Sequence, residues 1–323
     1  MFQNYKIAYI REHVKIREVR PLSFLRQSVA YMLAQSAKTI PHAAMITHYD
    51  VTPLIEYAKT SEAAIKPEEG ESPEQFRLRR AIRKNYSAFF LKALGHALSH
   101  TPECNAFLDY RQWRNGGTLY ISEDINISYT VNTKSGVIKP IVRNPHLKTI
   151  EAVALEMRNL SRRARRTDAN ELYQRTALTY FKTALKQLNF KELSGIWMVL
   201  RALLWQRIKI DPEFKDVPED QKLQPIDILG ATCTFANNGM MVSGHQTVTV
   251  ITPPEAIMFG LSDLHLAPQV VNGQVVPRYM VTFFATMDHR AFDAGAGFPG
   301  FGFLRDYIDH PEKIYEWKQG DVI

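Results

Sequence analysis

Apolar side chains recur along most of this chain at three- and four-residue steps, interrupted by short runs of β-branched and aromatic residues. That change of period predicts helices mixed with strands, an α/β or α+β protein. Residues 1–20 alternate charged and apolar positions and are expected to form a strand or arm that can lie on a neighbouring subunit. Leu22, Leu25, Val29, Met32 and Leu33 then place a helix over 22–37. Residues 40–51 read as a strand, followed by a helix from Pro53, where proline suits the first turn. Glycine, prolines and acidic residues make 66–75 a surface loop, and 76–99 reads as one long helix with Ala81, Phe89, Leu91, Leu94 and Leu98 on its apolar face.

After a turn at Pro102, residues 119–131 and 137–142 read as two strands joined by a link ending in Gly136, which can take positive φ. A helix over 149–166 follows. Residues 167–223 carry a pattern of their own: Leu178, Phe181, Leu185, Leu188 and Phe190, then Ile196, Val199, Leu200, Leu203 and Leu204, with Trp197 and Trp205. Two amphipathic helices are expected there, a helical insertion within a single domain spanning 1–323. The ten-residue apolar run 196–205 includes Arg201 and is too short and too charged to cross a membrane. Lys182, Lys186, Lys191, Arg201 and Arg207 flank it, so an interfacial membrane helix stays open beside packing on the protein's own body or a partner subunit.

Composition narrows the class. A chain of 323 residues with 45% hydrophobic content can bury the core of one elaborated domain. Its two cysteines, Cys104 and Cys233, offer no disulfide framework and no metal-ligand cluster, so no metal is expected. The amino terminus lacks the apolar core of a signal peptide, which makes a cytoplasmic protein the expectation. The net charge of +7 gathers in 77–84 and 158–166, where apolar residues keep helical spacing; solvated helix faces account for this better than a nucleic-acid interface. A modest basic field would also attract phosphates.

The candidate chemistry sits at the end of the strand-like run 279–286, in the stretch Met287-Asp288-His289-Arg290-Ala291-Phe292-Asp293. An imidazole delivered there could act as a base near neutral pH, with Asp293 four residues on ordering the turn. The spacing alone fits a structural histidine beside a solvated aspartate better than a catalytic pair. Upstream stand Thr232-Cys233-Thr234-Phe235-Ala236-Asn237-Asn238-Gly239 and Val250-Ile251-Thr252-Pro253-Pro254-Glu255-Ala256-Ile257-Met258-Phe259-Gly260. Further segments keep the same order: Pro21-Leu22-Ser23-Phe24-Leu25-Arg26, Thr39-Ile40-Pro41-His42, Tyr49-Asp50-Val51-Thr52 and Gly136-Val137-Ile138-Lys139-Pro140. Together they resemble the catalytic domain of the dihydrolipoamide acyltransferases of 2-oxo acid dehydrogenase complexes, over roughly 15–310 apart from the insertion.

The resemblance implies a chloramphenicol acetyltransferase-like mixed sheet flanked by helices, in a homotrimer with active sites between subunits. It implies acyl transfer between coenzyme A and a dihydrolipoyl thiol or other small acceptor, with His289 as general base. The family's aspartate at the Asp293 position forms a buried ion pair, for which Arg26 is the candidate partner here. Two positions depart from the family. Ala236 stands where a serine or threonine hydroxyl holds the oxyanion, leaving Thr234, Asn237 or Asn238 to compensate, and Ala294 replaces a glycine. The glycine-rich 295–302 is expected to lengthen the approach to a helix at Phe303. The chain shows no lipoyl attachment site, so a lipoylated carrier would be a separate protein, and it ends without the apolar tail that joins trimers into cages. Three readings stay open: a CoA-dependent acyltransferase, a catalytically weak or inactive scaffold trimer, and a membrane-surface protein built on this fold.

Overall fold

A computed structural model of the chain describes residues 2–111, 115–186, 211–239, 248–262 and 264–321. The first element is a helix, α1 (Phe2–His13), where the alternation suggested a strand or arm, and residues 7–23 are exposed. A strand needs a partner for its backbone groups whereas a helix closes its own, and α1 leaves Ile7 and Ile10 exposed. Next come α2 (Phe24–Thr39), capped by Ser23, and β1 (His42–Asp50). Then follow α3 (Thr52–Ala64), α4 (Pro73–Arg83) and α5 (Tyr86–His100). The single helix expected over 76–99 is thus two. Ser72 and Gln75 close a capping box before α4, and the Asn85 side chain accepts the Ala88 N–H to start α5 afresh.

The strands expected over 119–131 and 137–142 are likewise divided. β2 (Ala106–Arg111) and β3 (Gly116–Ile121) pair as a separate ribbon, after which come β4 (Asn126–Tyr129), β5 (Val131–Thr133), β6 (Gly136–Ile138) and β7 (Ile141–Arg143). Gly136, at φ +135°, closes the expected hairpin, β5 against β6. α6 (Ile150–Arg165) and α7 (Ala169–Lys186) lie on either side of a buried Thr167–Asp168 corner. α7 supplies the first helix of the expected insertion pair, whereas Ile196 to Trp205 falls outside the described residues. Apart from short helical turns, there follow β8 (Cys233–Asn237), β9 (Ile257–Leu261), β10 (His265–Val271), β11 (Gln274–Asp288) and α8 (Ala294–Asp309).

Seven strands form one mixed sheet in the order β1-β11-β9-β8-β4-β7, with β10 folded back on the first part of β11. β8 runs parallel to both β4 and β9, and the other pairings are antiparallel. Side chains alternate between its faces. Ile127, Phe235, Phe259, Phe283, Ala285 and Met287 enter the main core with Phe89, Leu91 and Leu94 of α5, Val153 and Leu160 of α6, and Leu304 and Ile308 of α8. Each such burial contributes about 1.5–3 kcal/mol, so the helices are held to one face. The other face carries Ser128, Thr234, Ala236, Thr282, Phe284 and Thr286, and exposes Ile46 on its β1 edge. No helix among the described residues is long and apolar enough to cross a membrane.

Candidate active site

β11 is the longest strand, paired on both sides, and it delivers its last residues to a fixed place. Asp288 donates its N–H to the Ala256 carbonyl at 2.8 Å, and the His289 N–H reaches the Pro41 carbonyl at 3.2 Å. The Asp288 carboxylate is buried and grips Arg290 in a fork, Nε to Oδ1 at 2.9 Å and Nη2 to Oδ2 at 2.7 Å, while also accepting the Arg290 backbone N–H at 3.0 Å. This hydrogen bonding raises the Arg290 guanidinium pKa further, and the group also lies over the Tyr110 ring. Reading the sequence for a base at His289 missed this clamp, although the Asp-x-Arg spacing inside Asp288-His289-Arg290 carried the signal.

With its neighbours fixed, the His289 side chain projects outward, 47% exposed, with Nδ1 3.4 Å from Asp293 Oδ1. The contact engages Nδ1 and leaves Nε2 as the ring nitrogen not taken up by the carboxylate. The buried pair expected between Asp293 and Arg26 is absent from the chain. The Asp293 side chain is 90% exposed at the start of α8, and Arg26 is exposed on α2 with no ion-pair partner among the described residues. Burying either charge without a close partner would cost several kcal/mol; both remain in solvent.

The Ala236 segment is built differently. Ala236 faces away from the main core into a small apolar group with Ile40, Ile251 and Met258. Thr234, two residues earlier on the same face, donates its hydroxyl proton to Glu255 Oε2 at 2.7 Å and sits 2.8 Å from Ser128 Oγ. Glu255 is deeply buried, and desolvation holds its pKa above the usual carboxylate range against the opposing pull of Lys139 and Thr234. Asn237 points to the helix side and donates to Ser87 Oγ at 2.9 Å, while the Asn238 N–H bonds the Leu261 carbonyl. Thr234 and Asn237 therefore already have internal partners.

The sheet register sets how these pieces relate. Ala236 aligns with Gly260, which aligns with Phe284, five residues before His289. By strand geometry the two lie ~17 Å apart along the sheet and ~10 Å across it, so one chain does not bring them together. On the helix side, a second titratable cluster gathers Lys92, His96 and His146 beside Tyr307 and Trp317. Among the described residues no three His, Cys, Asp or Glu side chains converge in a way that could hold a metal ion.

The family model described as 2-oxoacid dehydrogenases acyltransferase (catalytic domain) matches residues 15–175 and 212–316. The chain is 25% identical over 274 residues to the lipoamide acyltransferase component of the branched-chain alpha-keto acid dehydrogenase complex of Bacillus subtilis, covering 84% of this chain and 48% of that protein. It spans about half the length of the curated relatives it matches. Its fold matches that of a probable dihydrolipoamide acetyltransferase from Listeria monocytogenes with a TM-score of 0.62 at 21% identity, over 94% of this chain and 97% of the other. It also matches the dihydrolipoamide acetyltransferase of Azotobacter vinelandii, solved to study the role of a serine, a histidine and an asparagine in its catalytic mechanism, with a TM-score of 0.65 at 20% identity, over 94% and 95% of the two chains. With the family model covering most of its length and the mixed sheet in agreement, the chain belongs to the 2-oxoacid dehydrogenase acyltransferase catalytic-domain family.

Proposed function

We propose that this chain transfers an acyl group between coenzyme A and a thiol acceptor, with His289 as general base, in a homotrimer whose sites form between copies. The observation that carries this is the outward imidazole of His289, oriented by Asp293 on a clamped turn. Nε2 takes the proton of the incoming thiol; the thiolate adds to the thioester carbonyl, and the oxyanion collapses to expel the second thiolate, which recovers the proton. The distance from His289 to the Ala236 segment supports a site completed by a second copy, as do Ile46, Leu266, Val270 and Val275 left exposed on the β1 edge and the β10–β11 ribbon. The Azotobacter vinelandii histidine and asparagine stand four residues apart, as His289 and Asp293 do. The acceptor we favour is a dihydrolipoyl group on a separate carrier, and we place the protein in the cytoplasm.

Ala236 favours a second reading, a trimer of this fold that has lost catalysis. Thiol release from acetyl-CoA with dihydrolipoamide as acceptor separates the two. The wild type should turn over and His289→Ala should lose about 10²–10⁴-fold. An inactive wild type, or a His289→Ala variant as fast as wild type, would leave the scaffold reading. A protein that sediments as a monomer while fully active would overturn the shared site.

A further inference from the structure

The start of α7 is built into the body of the protein. Asp168 Oδ1 accepts the Asn170 N–H at 2.8 Å and the Glu171 N–H at 3.2 Å, Ala169, Leu172 and Thr176 are buried, and Arg175 bonds Glu219 at 2.9 Å. From Ala177 to Lys186 no described side chain is buried, and Leu178 and Leu185 are exposed. The family model ends at residue 175 and resumes at 212, so this half of the helix lies outside the part of the chain that the family shares.

Leu178, Phe181 and Leu185 follow one another at steps of three and four residues, which stacks them in one stripe. At about 100° per residue, that stripe points roughly half a turn away from Leu172 and Thr176, the side on which α7 is buried. None of the three side chains belongs to the main core cluster. Lys182 and Lys186 border the stripe and are exposed, while the ion pairs of α7 among the described residues belong to Glu171 and Arg175 at its start. No acidic residue occurs between Glu171 and Glu192. The charge persists along the sequence: residues 176–211 hold six Lys and Arg against Glu192 and Asp211, a net +4 out of the chain's +7, together with two of its four tryptophans. Protein interfaces are depleted of lysine, and two copies meeting on this stripe would oppose like charges. A bilayer with anionic headgroups accepts both features at once. The leucines and the phenylalanine enter the acyl boundary, while the lysine stems extend along the apolar surface and place their ammonium groups among the phosphates.

We propose that the outer half of α7 binds an anionic phospholipid surface, lying in its plane with Leu178, Phe181 and Leu185 turned inward. This is independent of the acyl-transfer reading, since none of these residues belongs to the His289 turn or the Ala236 segment. The test uses the intact protein and unilamellar vesicles, either phosphatidylglycerol and phosphatidylcholine in equal parts or phosphatidylcholine alone, followed by flotation. The protein should float with the anionic vesicles, bind the neutral ones at least about tenfold more weakly, and be released as salt rises to about 0.5 M, where exposed charges are screened. Leu178→Ser combined with Leu185→Ser should weaken binding to anionic vesicles at least about tenfold. Lys182→Gln combined with Lys186→Gln should weaken it about tenfold, and Leu155→Ser, at an exposed leucine of α6, should leave it unchanged. All these side chains are exposed, so the variants should keep the wild-type urea midpoint, which verifies that they fold. A wild type that stays in the lipid-free fraction overturns the proposal, as does a leucine variant that floats as fully as wild type. A leucine variant that falls to a smaller assembly in light scattering, with a wild type that ignores vesicles, also overturns it and assigns the stripe to a contact between copies.

Discussion

At the scale of single residues, Ala236 separates a reduced enzyme from a retired one. Its methyl lies among Ile40, Ile251 and Met258, and the nearest hydroxyl on its face, Thr234, is occupied by Glu255 and Ser128. Removing an oxyanion donor typically costs ~10²–10³ in turnover, so restoring one should return part of it. Ala236→Ser is expected to raise the rate with acetyl-CoA and a dithiol by at least about tenfold in the presence of His289; a rate no higher than wild type would mean that another group already serves the oxyanion. That Ala236 brings no hydroxyl to this face was legible because it is a matter of which atom is missing. The Asp288–Arg290 clamp was not, since burial turns an ordinary Asp-x-Arg spacing into a fork. Arg290→Ala would leave Asp288 buried and unpaired, and urea titration should show a loss of about 3–5 kcal/mol. A loss below about 1 kcal/mol would show that water reaches the carboxylate.

At the scale of elements, the sequence misled where tertiary packing overrides local preference. Residues 295–302 hold four glycines and Pro299, a composition that reads as loop, yet α8 begins at Ala294 and runs through them. A Cβ at Gly297 would sit 3.6 Å from Met45 and one at Gly300 3.6 Å from Thr101, ordinary contact distances, so packing against the core holds the helix although neither position requires glycine for space. Helix 76–99 failed for the opposite reason, because Asn85 offers the backbone a local cap that the apolar period does not reveal. The strand from 279 succeeded because its alternation and its burial agree. Gly260 shows how tight that sheet is: a Cβ there would come within 2.1 Å of the Phe284 ring and 2.9 Å of the Ala236 carbonyl oxygen. Gly260→Ala should cost about 1–3 kcal/mol, measured by urea titration, and less in a Phe284→Leu background if the ring is the obstacle. Equal costs in the two backgrounds would place the obstacle in the backbone.

At the scale of the whole molecule, stability should depend on pH through a cluster that no spacing in the sequence announced. α5 carries Lys92 and His96 into the core, where His146 from the turn before α6, Tyr307 of α8 and Trp317 close around them. Lys92 donates to the Lys148 carbonyl at 2.6 Å and lies 3.7 Å from the centre of the Trp317 ring; burial pushes its pKa down to about 7, with Glu151 the opposing charge. His96 is pushed down to about 3, first by burial and then by Lys92, His146 and His100. Its Nε2 has no hydrogen-bond partner, as is true of His146 Nδ1 and the Tyr307 hydroxyl. Because the folded pKa of His96 lies below its unfolded value, the unfolded chain gains a proton first as pH falls from 6.5 towards 3, and stability is lost across that window. Lys92 acts in the same direction at higher pH, since between about 7 and 10.5 the unfolded chain still holds the proton that the folded state has released, and stability rises there. Paired carboxylates such as Glu71 contribute mainly below pH 5, whereas the buried Glu255, its pKa raised by desolvation, acts in the opposite direction above the usual carboxylate range, so the part due to His96 between pH 6.5 and 5 is read from a variant against wild type. Between those values His96 alone should remove about 2 kcal/mol. His96→Phe retains an aromatic ring and removes the titrating group together with the unsatisfied nitrogen, so urea midpoints at pH 6.5 and 5.0 should move closer together than in wild type. Midpoints separated as widely in the variant as in wild type would show that the acid sensitivity arises elsewhere.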